Sequence, residues 1–358
     1  MKAAPPPPRL VAWETTRACN LACRHCRASA QPEAEPGELS PEESLLLLSQ
    51  LSEWSPQPMV ILSGGEPLLR PDIFSLAEKG VHLGLRMLLS TNGTLLTRDM
   101  AASLKKVGIA RVSLSLDAPT ASEHDDFRGL TGSFAATMNS GEILKSVGLP
   151  FQINSAVTPD NIQSIEALSD LALKMGAAAH HVFLLVPVGR ALEMGADFLP
   201  AETYEKALIK LRRREDSLGL EFKATCAPQY NRISRQLALP LPPRSSRGCL
   251  GGQGFMFISH DGRVCACGYL PLSAGDVREN HPIEIYENSS LFQSLRNKEL
   301  YRGRCRDCEY WSICGGCRAR AHAAGDYLGD EPLCPHQPQK SRPKAREQED
   351  FDKMKKMV

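Results

Sequence analysis

Apolar residues recur along the first two-thirds of the chain in short blocks, separated by longer stretches of helical period. The blocks at 10–15, 59–62, 85–90, 111–116, 151–157 and 181–186 have the length and composition of strands. Between them, residues near 41–54, 71–79, 98–107, 133–147, 161–175 and 201–217 carry apolar positions three and four apart. Ser40-Pro41-Glu42-Glu43 gives the first of these a cap, a first-turn proline and acids beside the helix start. Six strand–helix repeats predict a parallel sheet with right-handed crossovers, two units short of a closed eightfold barrel. In such sheets chemistry gathers at the carboxyl ends of the strands. That makes site candidates of Ser115 and Asp117 at the end of the fourth strand and Asn154 in the fifth. His124, Asp126 and Arg128 are expected in the loop after the fourth strand, and Thr91-Asn92-Gly93 is poised between site and turn.

Past residue 218 the alternation stops. Residues 255–259, a His260-Asp261-Gly262 turn and 263–267 predict a β-hairpin. The pattern divides the chain into a proline-rich extended leader at 1–9, a barrel-like domain at 10–217, a second domain at 218–337 and a charged, mobile tail at 338–358. The 358 residues are 42% hydrophobic and 23% charged, ordinary values for a soluble protein with more than one core. A net charge of +1 gives no reason to expect nucleic acid as a partner, and no apolar run is long enough to span a membrane. The expected location is the cytoplasm.

Twelve cysteines change the picture, because cytoplasmic cysteines in such numbers point to metal rather than disulfides. Three lie at Cys19, Cys23 and Cys26, and the other nine lie between 226 and 334. Three thiols in eight residues converge on one centre without a fourth ligand, the arrangement that leaves one iron of a four-iron cluster open. Half a zinc site and a redox dithiol are the plainer readings of the same loop. Ser63-Gly64-Gly65-Glu66-Pro67 then ends the second apolar block, where paired glycines let backbone approach a ligand closely.

Together, the three-cysteine loop and the Gly-Gly-Glu-Pro stretch resemble the two signatures of the radical S-adenosylmethionine (SAM) enzymes. The resemblance implies a partial (β/α)6 barrel and a [4Fe-4S] cluster on Cys19, Cys23 and Cys26. It also implies a SAM site that includes Gly64, Gly65, Glu66 and Pro67, with Glu66 receiving the methionine ammonium. Residues matching Ser115, Arg128 and Asn154 hold the ribose or carboxylate of SAM in relatives, and Leu185 is placed near adenine by its backbone. The second cysteine block resembles the SPASM extension, a small cysteine-rich domain that binds one or two auxiliary [4Fe-4S] clusters. By that pattern Cys305, Cys308, Cys314 and Cys334 hold the outer cluster. Cys249, Cys267 and Cys317 hold the inner one, with Cys226 as the available fourth ligand and Cys265 left spare. The departure is the spacing of Cys314 and Cys317, two residues apart where three is usual.

Trp13 to Ala18, Lys223 to Pro228, Gly268 to Pro271, Cys314 to Ala321 and Gly325 to Leu328 resemble the haem-pathway branch of these proteins. That resemblance implies an enzyme that oxidatively decarboxylates two propionates of iron-coproporphyrin III to vinyls, giving haem b, by way of a 5′-deoxyadenosyl radical. An auxiliary cluster is the plausible electron acceptor, and a flavodoxin or ferredoxin the electron donor. An iron-porphyrin substrate with four carboxylates calls for arginines, and Arg232, Arg235, Arg247, Arg318 and Arg320 are the candidates. His25, His180, His181 and His322 are candidates for an axial ligand to the porphyrin iron. An acetate-removing, didecarboxysirohaem-processing enzyme and a peptide-modifying maturase share the same motifs. An iron–sulfur electron carrier is the reading from another class, and it leaves Gly-Gly-Glu-Pro unexplained.

Overall fold

The computed structural model describes residues 4–194, 200–242 and 248–338. The expected tail at 338–358 therefore lies outside the described residues from 339 onward, as does Arg247. Ten strands form one sheet: β1 (Leu10–Glu14), β2 (Met59–Ser63), β3 (Arg86–Thr91), β4 (Val112–Ser115), β5 (Phe151–Val157), β6 (Ala179–Leu184), β7 (Glu221–Thr225), β8 (Phe255–Ile258), β9 (Arg263–Cys267) and β10 (Leu270–Asp276). Their order is β10-β9-β8-β1-β2-β3-β4-β5-β6-β7. Strands β1 to β7 pair in parallel, and the six expected helical stretches cross between them.

Three elements differ from the sequence pattern. The parallel series runs one strand further than the alternation predicts, because β7 pairs with β6 along Ala179↔Glu221 to Phe183↔Thr225. The hairpin at β8 and β9 forms as expected, but β8 also joins β1 in parallel, and β10 adds a third strand. The cysteine-rich part thus extends the barrel sheet instead of sitting apart from it. The stretch with His124, Asp126 and Arg128 is a helix, Ala121–Arg128, capped by the Thr120 hydroxyl and closed by Gly129 at φ 70°.

The burial pattern explains what the sheet encloses. In β2, Val60 and Leu62 are fully buried against the helices while Ile61 and Ser63 are half-buried; in β4, Val112 and Leu114 are buried while Ser113 and Ser115 are not. The apolar core lies between sheet and helices. The other face looks inward onto open space, unlike the packed interior of a closed eightfold barrel.

Candidate functional site

The three-cysteine loop sits over the carboxyl ends of the strands and is tied down on both sides. The Cys19 N–H donates to the Gln31 carbonyl at 2.7 Å and the Arg24 N–H to that of Phe127 at 3.1 Å. Arg190 reaches the Cys23 and Ala30 carbonyls at 2.9 and 2.8 Å, a clamp with no signal in the sequence. His25 stacks on Phe127 with ring centroids 4.4 Å apart, and burial pulls its pKa down to about 4. The same ring lines the space beside the cysteines.

Each of the three sulfurs has an N–H aimed at it. Leu21 N–H lies 3.4 Å from Cys19 Sγ, Ala30 N–H 3.4 Å from Cys26 Sγ, and Arg128 Nη1 3.8 Å from Cys23 Sγ; Asn92 Nδ2 adds a longer contact of 3.9 Å to Cys19. Such donors favour sulfur in its anionic, metal-binding form. Arg128 is itself buried and paired with Asp117 at 2.5 Å.

Gly64 and Gly65 carry the lead-in to this loop. Gly65 N–H donates to the Thr16 carbonyl at 2.8 Å and Glu66 N–H to the Ala18 carbonyl at 2.7 Å. A Cβ on either glycine would run into those backbone carbonyls. Glu66 lies deeper than the two glycines before it. Its side chain is fully buried and turned toward β3, accepting from Thr91 Oγ1 at 2.8 Å, Asn92 N–H at 2.7 Å and Leu68 N–H at 3.1 Å. Burial pushes its pKa up to about 7 against these donors. The carboxylate braces the ends of β2 and β3, and neither it nor buried Pro67 lines the space beyond.

That space is an open-mouthed cleft. The three cysteines, Gly64, Gly65, Ser115, Arg128 and Leu185 line it together, as do Thr91 and Asn92, which sequence left poised between site and turn. Asn154 stands beside Ser115 in register but is not among the lining residues; its amide oxygen accepts from Gln152 Nε2 at 2.9 Å. Tyr269, from the Gly268 to Pro271 stretch, and Arg27, which the sequence reading did not single out, also line it.

The nine later cysteines are unbridged and fall into two groups with one exception. Cys305, Cys308, Cys314 and Cys334 line a second cavity of about 420 Å³. Tyr310 N–H and Glu331 N–H lie 3.4 Å from Cys308 and Cys305 Sγ, and Arg232 Nη2 lies 3.7 Å from Cys334 Sγ. The carbonyl of Cys314 packs on Gly248, held at φ 88°, where any Cβ would clash with it. The other group joins Cys226, Cys249, Cys267 and Cys317. Cys226 hydrogen-bonds to Cys317 and holds that thiol below its ordinary range, and Cys249 and Cys267 lie within reach of the same charge. Cys226 takes a left-handed φ of 55°, with its carbonyl gripped by Arg320 Nη2 at 2.5 Å. Strain of that kind is held only where surroundings impose it. Cys265 is the exception: burial pushes it up to about 11, and its neighbours in charge are Arg263, Arg27, Asp261 and Glu14, with no other cysteine among them.

Three of the arginines expected to meet substrate carboxylates are already engaged within the protein. Arg232 is buried in a two-pronged pair with Glu205 at 2.7 and 2.6 Å, and Arg320 in one with Glu331 at 2.8 and 2.9 Å. Buried Arg318 donates to the Tyr327 and Gly329 carbonyls. His180 is enclosed between the Ser155 and Ser169 hydroxyls, each at 2.9 Å. Of those candidates within the described residues, Arg235 is exposed, His322 is half-buried and His181 faces inward.

A buried network links the front loop to the hairpin. Glu14, at the end of β1, accepts from Arg27 Nη2 at 2.5 Å, pairs with His260 Nδ1 at 2.9 Å and lies 3.4 Å from Arg17 Nε; His260 Nε2 reaches Glu35 at 3.1 Å.

Residues 13–172 match the Radical SAM superfamily, and residues 249–309 match the SPASM iron–sulfur cluster-binding domain. The "AdoMet-dependent heme synthase" of Oleidesulfovibrio alaskensis is 46% identical over 343 residues, covering 93% of this chain and 88% of that protein. The "Fe-coproporphyrin III synthase" of Methanosarcina barkeri is 31% identical over 351 residues, covering 91% and 87%. The crystal structure of Streptococcus suis SuiB bound to S-adenosylmethionine superposes with a TM-score of 0.73 at 17% identity, covering 92% of this chain and 78% of that one, a likeness of fold.

Proposed function

We propose, from the premise that this chain belongs to the radical SAM superfamily and carries a SPASM iron–sulfur domain, that it converts two propionates of iron-coproporphyrin III to vinyls and so makes haem b. The protein is an enzyme, and its cofactors are SAM, the [4Fe-4S] cluster that binds SAM, and auxiliary [4Fe-4S] clusters. The donor set suits them: three sulfurs, each with an N–H donor, face a cavity whose lining, among the described residues, holds no fourth cysteine. When bound, this cluster and SAM supply a 5′-deoxyadenosyl radical that takes a hydrogen atom from an unactivated carbon.

The chain's own residues would do the holding. Cys19, Cys23 and Cys26 would ligate the front cluster. Gly64, Gly65, Ser115, Leu185 and Arg128 would cradle SAM, with Asp117 fixing the guanidinium. Cys226, Cys249, Cys267 and Cys317 would ligate an inner auxiliary cluster, and Cys305, Cys308, Cys314 and Cys334 an outer one. Arg27 and Tyr269, on the wall of the same cavity, would face the substrate. A flavodoxin or ferredoxin in the cytoplasm would donate electrons; no helix among the described residues is long and apolar enough to cross a membrane.

The observation that carries the reading is identity of 46% across both domains with a heme synthase, against 31% with the Fe-coproporphyrin III synthase. The test is anaerobic reconstitution, then incubation with SAM, a strong reductant and iron-coproporphyrin III, with mass spectrometry of the porphyrin. Two successive losses, each of one carbon dioxide and two hydrogens, are expected. Deoxyadenosine with an unchanged porphyrin would sink the substrate, and turnover of didecarboxysirohaem would replace it with the acetate-removing reaction.

A further inference from the structure

Each of the four cysteines of the outer group is met by a donor. The N–H groups of Tyr310, Glu331 and Gly316 serve Cys308, Cys305 and Cys314, and Arg232 Nη2 serves Cys334. A further polar side chain lines the same cavity and is engaged with none of these sulfurs. Gln229 is only 1% exposed, yet neither its amide nitrogen nor its amide oxygen has a hydrogen-bond partner among the described residues. An amide buried without partners is costly, and a group that fills the cavity and pairs it recovers that cost.

The fold holds that amide in place. Gln229 opens the helix Gln229–Gln236, three residues after Cys226 of the inner group. The other faces of the helix are committed elsewhere. Tyr230 and Ile233 pack in the apolar cluster beside β6 and β7, the Tyr230 hydroxyl donates to Glu215 at 3.1 Å, and the Asn231 amide donates to the Ile313 carbonyl at 2.9 Å. Gln229 and Arg232 stand three apart, the spacing of one helix face, and both line the cavity. Turning the amide out to solvent would mean undoing these contacts. Since Gln229 reaches no cysteine sulfur, its partner belongs in the space the four sulfurs surround. A [4Fe-4S] cluster there presents bridging sulfides, which accept hydrogen bonds and do not donate them.

We propose that the Gln229 amide donates an N–H hydrogen bond to a bridging sulfide of the outer cluster and so raises that cluster's reduction potential. The inference rests on the assignment of Cys305, Cys308, Cys314 and Cys334 to the outer cluster, and is independent of the substrate. Reduction adds negative charge to the cluster, and a donor aimed at its sulfur stabilises the reduced form more than the oxidised one. One short segment thus carries a ligand of the inner group, Cys226, a donor to the outer cluster, Gln229, and a donor to an outer ligand, Arg232.

The test is a potentiometric titration of the reconstituted full chain, followed by electron paramagnetic resonance, for wild type, Gln229→Met and Gln229→Leu. The signal that Cys308→Ala lacks identifies the outer cluster. Gln229→Met keeps the length of the side chain and loses the donor. It is expected to move the reduction equilibrium of that cluster about tenfold toward the oxidised form, or about 59 mV for one electron, while the other clusters keep their potentials. Gln229→Leu, a second side chain without a donor, is expected to repeat the shift. Pulsed measurements in D2O are expected to find an exchangeable deuteron beside the wild-type cluster that both variants lack. An outer potential unmoved in Gln229→Met, a shift shared equally by all clusters, or an unchanged deuteron signal would overturn the inference. Loss of the outer iron in both variants would overturn it as well, by making Gln229 a requirement for assembly instead. A full set of signals in Cys308→Ala would remove the ligand assignment on which the inference rests.

Discussion

Replacing Glu14 by Gln tests the link between the front loop and the hairpin. Glu14 is only 1% exposed, and burial alone would raise its pKa. Arg27 and His260 more than offset that and bring it from 4.5 to about 2. A difference of about 2.5 units at about 1.36 kcal/mol each amounts to about 3 kcal/mol. Because the folded-state pKa is depressed, this contribution is fully present above pH 4.5 and is lost as pH falls toward 2. His260 runs the other way. Burial lowers its pKa, but its bond and charge interaction with Glu14 raise it above 6.5, so its contribution is full below 6.5 and lost as pH rises through the folded value. Urea unfolding of wild type and Glu14→Gln, followed by tryptophan fluorescence under anaerobic conditions, reads both effects. At pH 7 the variant should lose about 3 kcal/mol. Between pH 6 and pH 8.5 wild type should lose stability that the variant, already without the carboxylate, does not. Equal stability at pH 7, or the same slope with pH in both proteins, would refute the network as a source of stability.

Cys265→Ala should reconstitute with the same iron and sulfide content as wild type, whereas Cys249→Ala should lose up to one four-iron cluster; iron loss in the first variant would show that Cys265 is a ligand. Gly248→Ala combines a left-handed φ with a clash on the Cys314 carbonyl. It should cost several kcal/mol locally and empty the outer site while leaving SAM binding to the front loop intact, as measured by iron analysis and SAM titration. Arg128→Met leaves Asp117 buried without its partner and should lower stability by about 3–5 kcal/mol, with Asp117→Asn in the same chain recovering part of it in a thermal-shift assay.

The parts of this molecule legible in the sequence are those whose signal is local. Six strand–helix units could be read because each apolar block and each cap lies within a dozen residues, and the three-cysteine loop because its spacing is its geometry. The helix at 121–128 went unread for the converse reason: its residues are mostly polar, so no apolar stripe announces it, and only Thr120 and Gly129 mark its ends. β7 is five residues long with a lysine at its centre, too short a signal to continue the alternation until β6 is there to pair with it.

Side-chain roles were less legible than the elements that carry them, because charge in a sequence does not say whether it is free. Arg232, Arg318 and Arg320 sit among the cysteines and look like an anion site. Each is instead consumed by a partner distant in sequence or by backbone carbonyls: Glu205 lies 27 positions from Arg232, and Glu331 lies 11 from Arg320. Buried guanidinium groups need such partners, since an unpaired charge there costs more than the fold can spare. Glu66 shows the same logic for an acid: the motif identifies the residue, yet the sequence does not show that Thr91, Asn92 and Leu68 all donate to its carboxylate.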